Sequence, residues 1–501
     1  MAELFVFTIL AAVVTFYSVL PDHRQLRTQF AIPRFMKWVF GAGSIGIVLL
    51  YIVDLYLETA SPAFSWYCGR FCLPTRFWIG GAQVAIVTLL SGYTATIFLR
   101  DTVPIHNDRA LETRIRNLFA TQQFNTLSSL LEDNYTQLLS NEEESKPLHS
   151  REAAKEVLTA RSFMEHHTEL NPSLATRIIA DSNSTLNREV FAREYLKALH
   201  SDSMSLLYHE VEGIEGNHGD RKIPESSLLL NSLFDNAEIA IELQIWNPIR
   251  ESVKSFLRRQ AEQPNDEYIG RPEDFSLTGP GQPSHDPILV GIELFDLFAS
   301  QALRQDTSHH IFLHYLAEIV EEICSNFQLG PSADATDEFP NAYGYLLKHT
   351  IAVYRGLVTL PAQPNPDIRM GIKQVNTDLE DDLLKNAVWG FVRAQKAILL
   401  TNSIPDQFKK DVVNNLVRAY IELGSTTHRS SQMYLATLHN HILNGSASGQ
   451  SPSDEHLEFL DELHTQMNRL DQGQFALRPD SGLYRRLLTD IDSALNTHQS
   501  P

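Results

Sequence analysis

The stretch SHHIFLHYLAEIVEE, residues 308–322, places His310, His314 and Glu318 at steps of four. On a helix that spacing stacks two imidazoles and a carboxylate along one face, a donor set that accepts a zinc-class ion. The acid that directly follows the first histidine in a zinc-peptidase helix is missing. The same spacing also arises on the polar face of an ordinary bundle helix. His285-Asp286 is a single dipeptide at the end of a loop. Asp461 with His464, and Glu455 with Glu458, lie on an acidic helix that lacks the repeated Glu-x-x-His of a di-iron bundle.

Other chemistry is excluded by absence of motif. The sequence has no Gly-x-x-x-x-Gly-Lys phosphate loop, no Gly-x-Gly-x-x-Gly turn after a strand and no Gly-x-Ser-x-Gly elbow. Past residue 100 a lone cysteine, Cys324, rules out a cysteine–histidine zinc pattern there, and it reads as a small buried apolar residue. No strong motif requires a cofactor. The first hundred residues carry seven Lys/Arg against four Asp/Glu, which leaves 34 against 57 for the rest. A body that acidic repels polyanions, so nucleic acid is not its partner.

The elements that must position any such chemistry begin with three apolar runs. Residues 4–20 and 77–99 carry no charge between Leu4 and Leu20 or between Phe77 and Leu99; residues 38–57 carry one acid, Asp54. A hydrocarbon core about 30 Å thick takes roughly 20 helical residues, so all three are expected to span a bilayer. The first run has neither the basic start nor the small-residue cleavage site of a signal peptide. The loop after the first run holds four basic residues, Arg24, Arg27, Arg34 and Lys37; the next loop holds two, Arg70 and Arg76. The segment after the third run again holds four, Arg100, Arg109, Arg114 and Arg116. That distribution puts the N-terminus outside and the C-terminal body in the cytoplasm, with a bacterial inner membrane as the setting.

The outer loop then contains Cys68 and Cys72 in SWYCGRFCLPTRFW. Four residues apart on a helical turn, in an oxidising compartment, they can form a disulfide; two unpaired thiols near the headgroups is the alternative. In the third run Gly81, Ala85, Thr88, Gly92 and Ala95 fall on one helical face. Small faces let helices approach closely in lipid, within one chain or between copies.

Past Arg100 the apolar periodicity is helical almost throughout. Asp108 is expected to cap a helix whose apolar positions include Leu111, Ile115, Leu118 and Phe119, and another helix is expected at 342–359. A helix at about 378–401 would use Leu379, Leu383, Val388, Phe391, Val392 and Ile398 for its core face; in SIPDQFKKDVVNNLVRAYIELG, Ser403 caps, Pro405 opens and Gly424 closes. The fold class is therefore all-α: three transmembrane helices, then a large helical cytoplasmic bundle without a regular repeat. The expected domains are 1–100 in the membrane, a connector at 101–140, a body at 150–443, and a helical pair at 454–498 after the linker NGSASGQSPS. EIAIELQIW alternates like a strand, yet its neighbours argue helix. The reading that follows is a membrane-anchored sensor, scaffold or effector subunit acting through a protein partner or a second copy of itself. The alternatives are an oligomeric channel or membrane-disrupting effector, its pore lined by Thr88 and Ser91, and a metal-dependent membrane-bound enzyme using His310, His314 and Glu318.

Overall fold

The computed structural model describes residues 18–60, 65–68, 71–99, 105–140, 149–170, 172–262, 285–305, 307, 311–329, 339–363, 383–445, 453–470 and 481–499, together with Ala11 and Thr15. Among these the chain is all-α apart from one antiparallel ribbon, Ser65–Cys68 with Phe71–Pro74, and two isolated bridges. Among the described residues two helices are long and apolar enough to cross a membrane, Arg34–Tyr56 and Phe77–Ile97. At 23 and 21 residues they extend about 34 and 32 Å. Most of the 4–20 run lies outside the described residues.

Internal contacts divide the chain into two units, Met1–Leu174 with Asp181–Asn187, and Ala175–Ala180 with Arg188–Pro501. In the first, the Arg34–Ala60 and Thr75–Leu99 helices pair as a hairpin around the ribbon. Gly43 allows the close approach: a Cβ there would come within 3.0 Å of Leu90. Phe40 meets Tyr93 with ring centroids 6.1 Å apart, and Gln83 donates to the Ile47 carbonyl at 3.5 Å. The ribbon corrects one expectation, since Cys68 and Cys72 stand in strands, opposite Phe71 and Tyr67, rather than on a helical turn. Their side chains lie outside the described residues.

The Asp108–Ala120 helix buries Leu111, Ile115 and Leu118 against His149–Leu158 and Phe124–Asp133, on the face its periodicity predicts. Asp108 does more than open its own helix. Its carboxylate accepts from the backbone of His149 and Ser150, at 2.6 and 3.0 Å, and so caps the neighbouring helix.

In the second unit the Leu383–Leu400 helix is the hub. It packs on Ile311–Ser325, Ala342–Thr359, Asp406–Gly424, Arg429–Asn444 and Asp454–Leu470. Its predicted core residues Leu383, Val388, Phe391, Val392 and Ile398 are all buried, while Leu379 lies outside the described residues. The Pro287–Arg304 helix is sunk among its neighbours and is capped by Asp286, whose side chain accepts from Ile288 and Leu289. His285 turns to the Ser203 carbonyl at 2.9 Å. The ambiguous EIAIELQIW is helical over Ala237–Glu242, because Asn236 caps it through Glu238 and Ile239; a left-handed Gln244 then starts the turn into Trp246–Glu262.

Helix contact at the hub is close enough to forbid a methyl group. A Cβ on Gly390 would lie 2.6 Å from the Tyr354 ring, which is fully buried and donates from its hydroxyl to the Leu313 carbonyl at 2.7 Å. Gly390→Ala is therefore expected to cost about 1–3 kcal/mol in denaturant unfolding. Gly482→Ala, in open space, is expected to be neutral or to stabilise by up to about 1 kcal/mol. Equal effects at the two sites would contradict this packing.

Candidate functional site

The chemically richest cluster joins three segments of the second unit. The loop Gly216-Asn217-His218-Gly219-Asp220-Arg221 runs against the Pro287–Arg304 helix, which presents Glu293, Asp296, Ser300 and Arg304 along one face at steps of three and four. Asp296 is fully buried. It accepts from the Gly219 backbone at 2.9 Å, His218 Nδ1 at 2.7 Å and Arg221 Nε at 3.0 Å. Ser300 Oγ accepts from the Arg221 backbone, and Arg304 pairs with Asp220 at 2.6 Å. A buried carboxylate persists only when several donors replace its water, and this one has three.

The loop reaches that position because two of its residues adopt backbone angles that suit glycine. Gly216 and Gly219 have φ of +95° and +81°. On the far side, a Cβ on Gly356 would lie 2.4 Å from the His218 carbonyl, so the loop lies directly on the Ala342–Thr359 helix. That helix contributes His349, whose Nε2 sits 2.6 Å from Glu293 Oε1. Arg221 reaches the same carboxylate at 2.8 Å. The His218 and His349 rings meet edge to face with centroids 4.8 Å apart, and Tyr345 stacks on His349 at 6.0 Å. Burial alone would raise the Glu293 carboxyl. The His349 hydrogen bond and the charges of His349, Arg221 and His218 outweigh it and hold the group below its ordinary value. Burial, then the Glu293 and Asp286 charges, raise the Tyr345 phenol.

The sequence-derived candidates are placed as follows. His310 lies outside the described residues. His314 lies tilted against Trp389 with ring centroids 4.4 Å apart and Nε2 3.3 Å from Asn386 Oδ1. Glu318 receives Lys254 at 2.6 Å and Arg250 at 2.7 Å on one oxygen. Gly81, Ala85, Thr88 and Gly92 are exposed, and a Cβ at either glycine would meet nothing; Ala95 is half-buried. The hairpin thus pairs through Gly43, Ile86 and Leu90, and no described residue lies against Gly81 or Gly92. Cys324 is buried, and burial pushes its thiol up to about 12 against a hydrogen bond to Thr401.

A second junction, in the first unit, lay equally outside the sequence reading. Arg27 is buried; its guanidinium donates to Asp133 at 2.7 Å and to the Ile97 carbonyl at 3.4 Å. The Phe30 carbonyl accepts from the backbone of His106 and Asn107, both at 3.0 Å. These bonds fasten the Thr75–Leu99 helix end to the helices that follow. For the His218 cluster the legible signal was the pair of glycines bracketing a histidine in a loop. No family model, no curated protein and no solved structure matches the chain.

Glu318 gives a pH test. Burial raises its carboxyl, but the hydrogen bonds and charges of Lys254 and Arg250 win and lower it from 4.5. A lowered folded value means that the stabilisation is fully present above about pH 4.5 and fades as pH falls through that lowered value. Glu318→Gln is expected to lose about 1–3 kcal/mol at pH 7, with wild type and variant converging in acid. A gap that widens in acid would contradict the assignment.

Proposed function

We propose that the chain is a membrane-anchored helical protein that works by contact, as a sensor or scaffold subunit that associates with its own copies through the hairpin. In this reading residues 21–34 and the chain after Arg100 share the inner face of the membrane. The 65–74 ribbon lies outside, in keeping with the basic residues of the short loops. The 4–20 run supplies a further span.

The observation that carries the reading is the surface of the hairpin. Phe35, Trp38, Ile45, Val48, Leu49, Ile52 and Leu55 are all exposed, Trp38 by 80 %. A continuous apolar surface along a helix of this length exceeds what a water-soluble monomer normally shows, and lipid would cover it. On the other helix the Gly81–Ala85–Thr88–Gly92 face carries only small residues, and among the described residues nothing would meet a Cβ at Gly81 or Gly92. Faces of this kind are where helices of different copies meet in lipid, because packing rather than dehydration drives association there.

Arg27 then links the two levels. A change in how the hairpins pack would be felt at the Ile97 carbonyl and passed to Asp133 on the Phe124–Asp133 helix.

Crosslinking in native membranes tests the reading. Wild-type chain is expected to crosslink as a discrete oligomer, and Gly92→Leu, which fills the open face, is expected to shift most of it to monomer. Gly41→Leu, on the partner helix and also in open space, serves as the comparison. An oligomer unchanged by Gly92→Leu, or wild-type chain recovered in the soluble fraction, would overturn it.

A further inference from the structure

We propose that His218, Glu293 and His349 form a binding site for a divalent transition-metal ion of the zinc class, with Asp296 as the group that orients His218. This is independent of how the hairpin meets the membrane. One ring nitrogen from each histidine and one Glu293 oxygen lie within 4.8 Å of one another. A tetrahedral ion at about 2.1 Å from each donor needs them roughly 3.4 Å apart. His349 Nε2 and Glu293 are already closer than that, at 2.6 Å. What remains is an inward movement of something over an ångström, within reach of side-chain rotation.

Three features separate this cluster from an ordinary ion-pair network. The first is the donor chemistry. Two imidazoles and one carboxylate suit zinc, cobalt, iron or manganese, whereas calcium and magnesium favour sites built wholly of oxygen. The second is the shell behind the ligands. Asp296 accepts from His218 Nδ1 at 2.7 Å, as a carboxylate behind a metal-bound histidine does, and holds the ring in one orientation. Asp296 is itself immobilised by the Gly219 backbone and Arg221. Arg221 likewise holds Glu293 at 2.8 Å. The third is access with rigidity. The His218, Glu293 and His349 side chains are 24, 15 and 16 % exposed, open enough for an ion to enter. The backbone carrying His218 is nevertheless wedged against Gly356.

The charges agree. Two carboxylates, Glu293 and Asp296, meet one guanidinium, Arg221, across the cluster. Entry of the ion breaks the His349–Glu293 hydrogen bond, and the Nε2 proton of His349 passes to its other nitrogen or to solvent. Three protein donors leave a coordination position for water, the arrangement of sites that can do chemistry. The bound ion would also tie the 216–221 loop to two helices.

The test uses the full chain in detergent, stripped with chelator and titrated with Co2+ and then Zn2+. One equivalent of Co2+ is expected to give visible d–d absorption that Zn2+ abolishes. His218→Ala and His349→Ala are expected to weaken binding at least tenfold. Asp296→Asn is expected to weaken it about tenfold or more, as loss of an orienting partner does elsewhere. His314→Ala should bind as wild type. Should a variant fail to fold, X-ray absorption at the zinc edge of the wild-type complex decides, and two imidazoles are expected. Substoichiometric binding, sulfur ligation, loss on His314→Ala, or unchanged affinity in folded His218→Ala and His349→Ala would each overturn the proposal.

Discussion

The first unit depends on one buried cation. Arg27 has about 1 % of its side chain exposed, and a guanidinium without water needs both countercharge and hydrogen-bond acceptors. Asp133 gives the charge. The Ile97 carbonyl, in the last turn of the Thr75–Leu99 helix, gives an acceptor at the end where helical carbonyls run out of intrahelical donors. The carbonyl end of a helix also favours a positive group. One side chain thus answers two unmet needs, and it does so where the long apolar helix gives way to the amphipathic ones. The Phe30 carbonyl, taking two backbone donors from His106 and Asn107, fixes the same corner from the other side.

The second unit follows the same rule with the sign reversed. Asp296 is a buried anion that three donors replace water for, and the loop carrying His218 and Arg221 has its shape because those donors must converge. Hydrophobic burial around the Leu383–Leu400 hub gives the unit its bulk. The buried charges give it specific junctions, since each permits a single arrangement of the segments around it.

Local patterns were legible in the sequence and distant ones were not. The Ala342–Thr359 helix is found with the bounds that its periodicity implied. The Asp108–Ala120 and Leu383–Leu400 helices bury the faces read from their spacing. Helix ends were harder to read, because the polar groups there have more than one helix to choose from. Asp108 serves His149–Leu158, and the helix expected to open at Pro405 starts at Asp406 with no side-chain cap. Cys68 and Cys72 show the limit of spacing arguments, since a four-residue step means different things on a helix and across a tight ribbon. The two polar junctions could not be read at all. Arg27 and Asp133 are 106 residues apart, His218 and Asp296 78, and Glu293 and His349 56. Periodicity carries no information over such separations; only the folded chain brings these groups together.

In this account Arg27 makes the apolar hairpin and the helices after it one mechanical piece. A double-mutant cycle on the full chain in detergent tests it most directly, with Arg27→Met, Asp133→Asn and the pair compared by denaturant unfolding. A coupling energy of about 2–3 kcal/mol is expected, with the double variant losing much less than the sum of the two singles. Additivity within about 0.5 kcal/mol would mean that the guanidinium and the carboxylate act separately, and the link between hairpin and helices would have to be sought elsewhere.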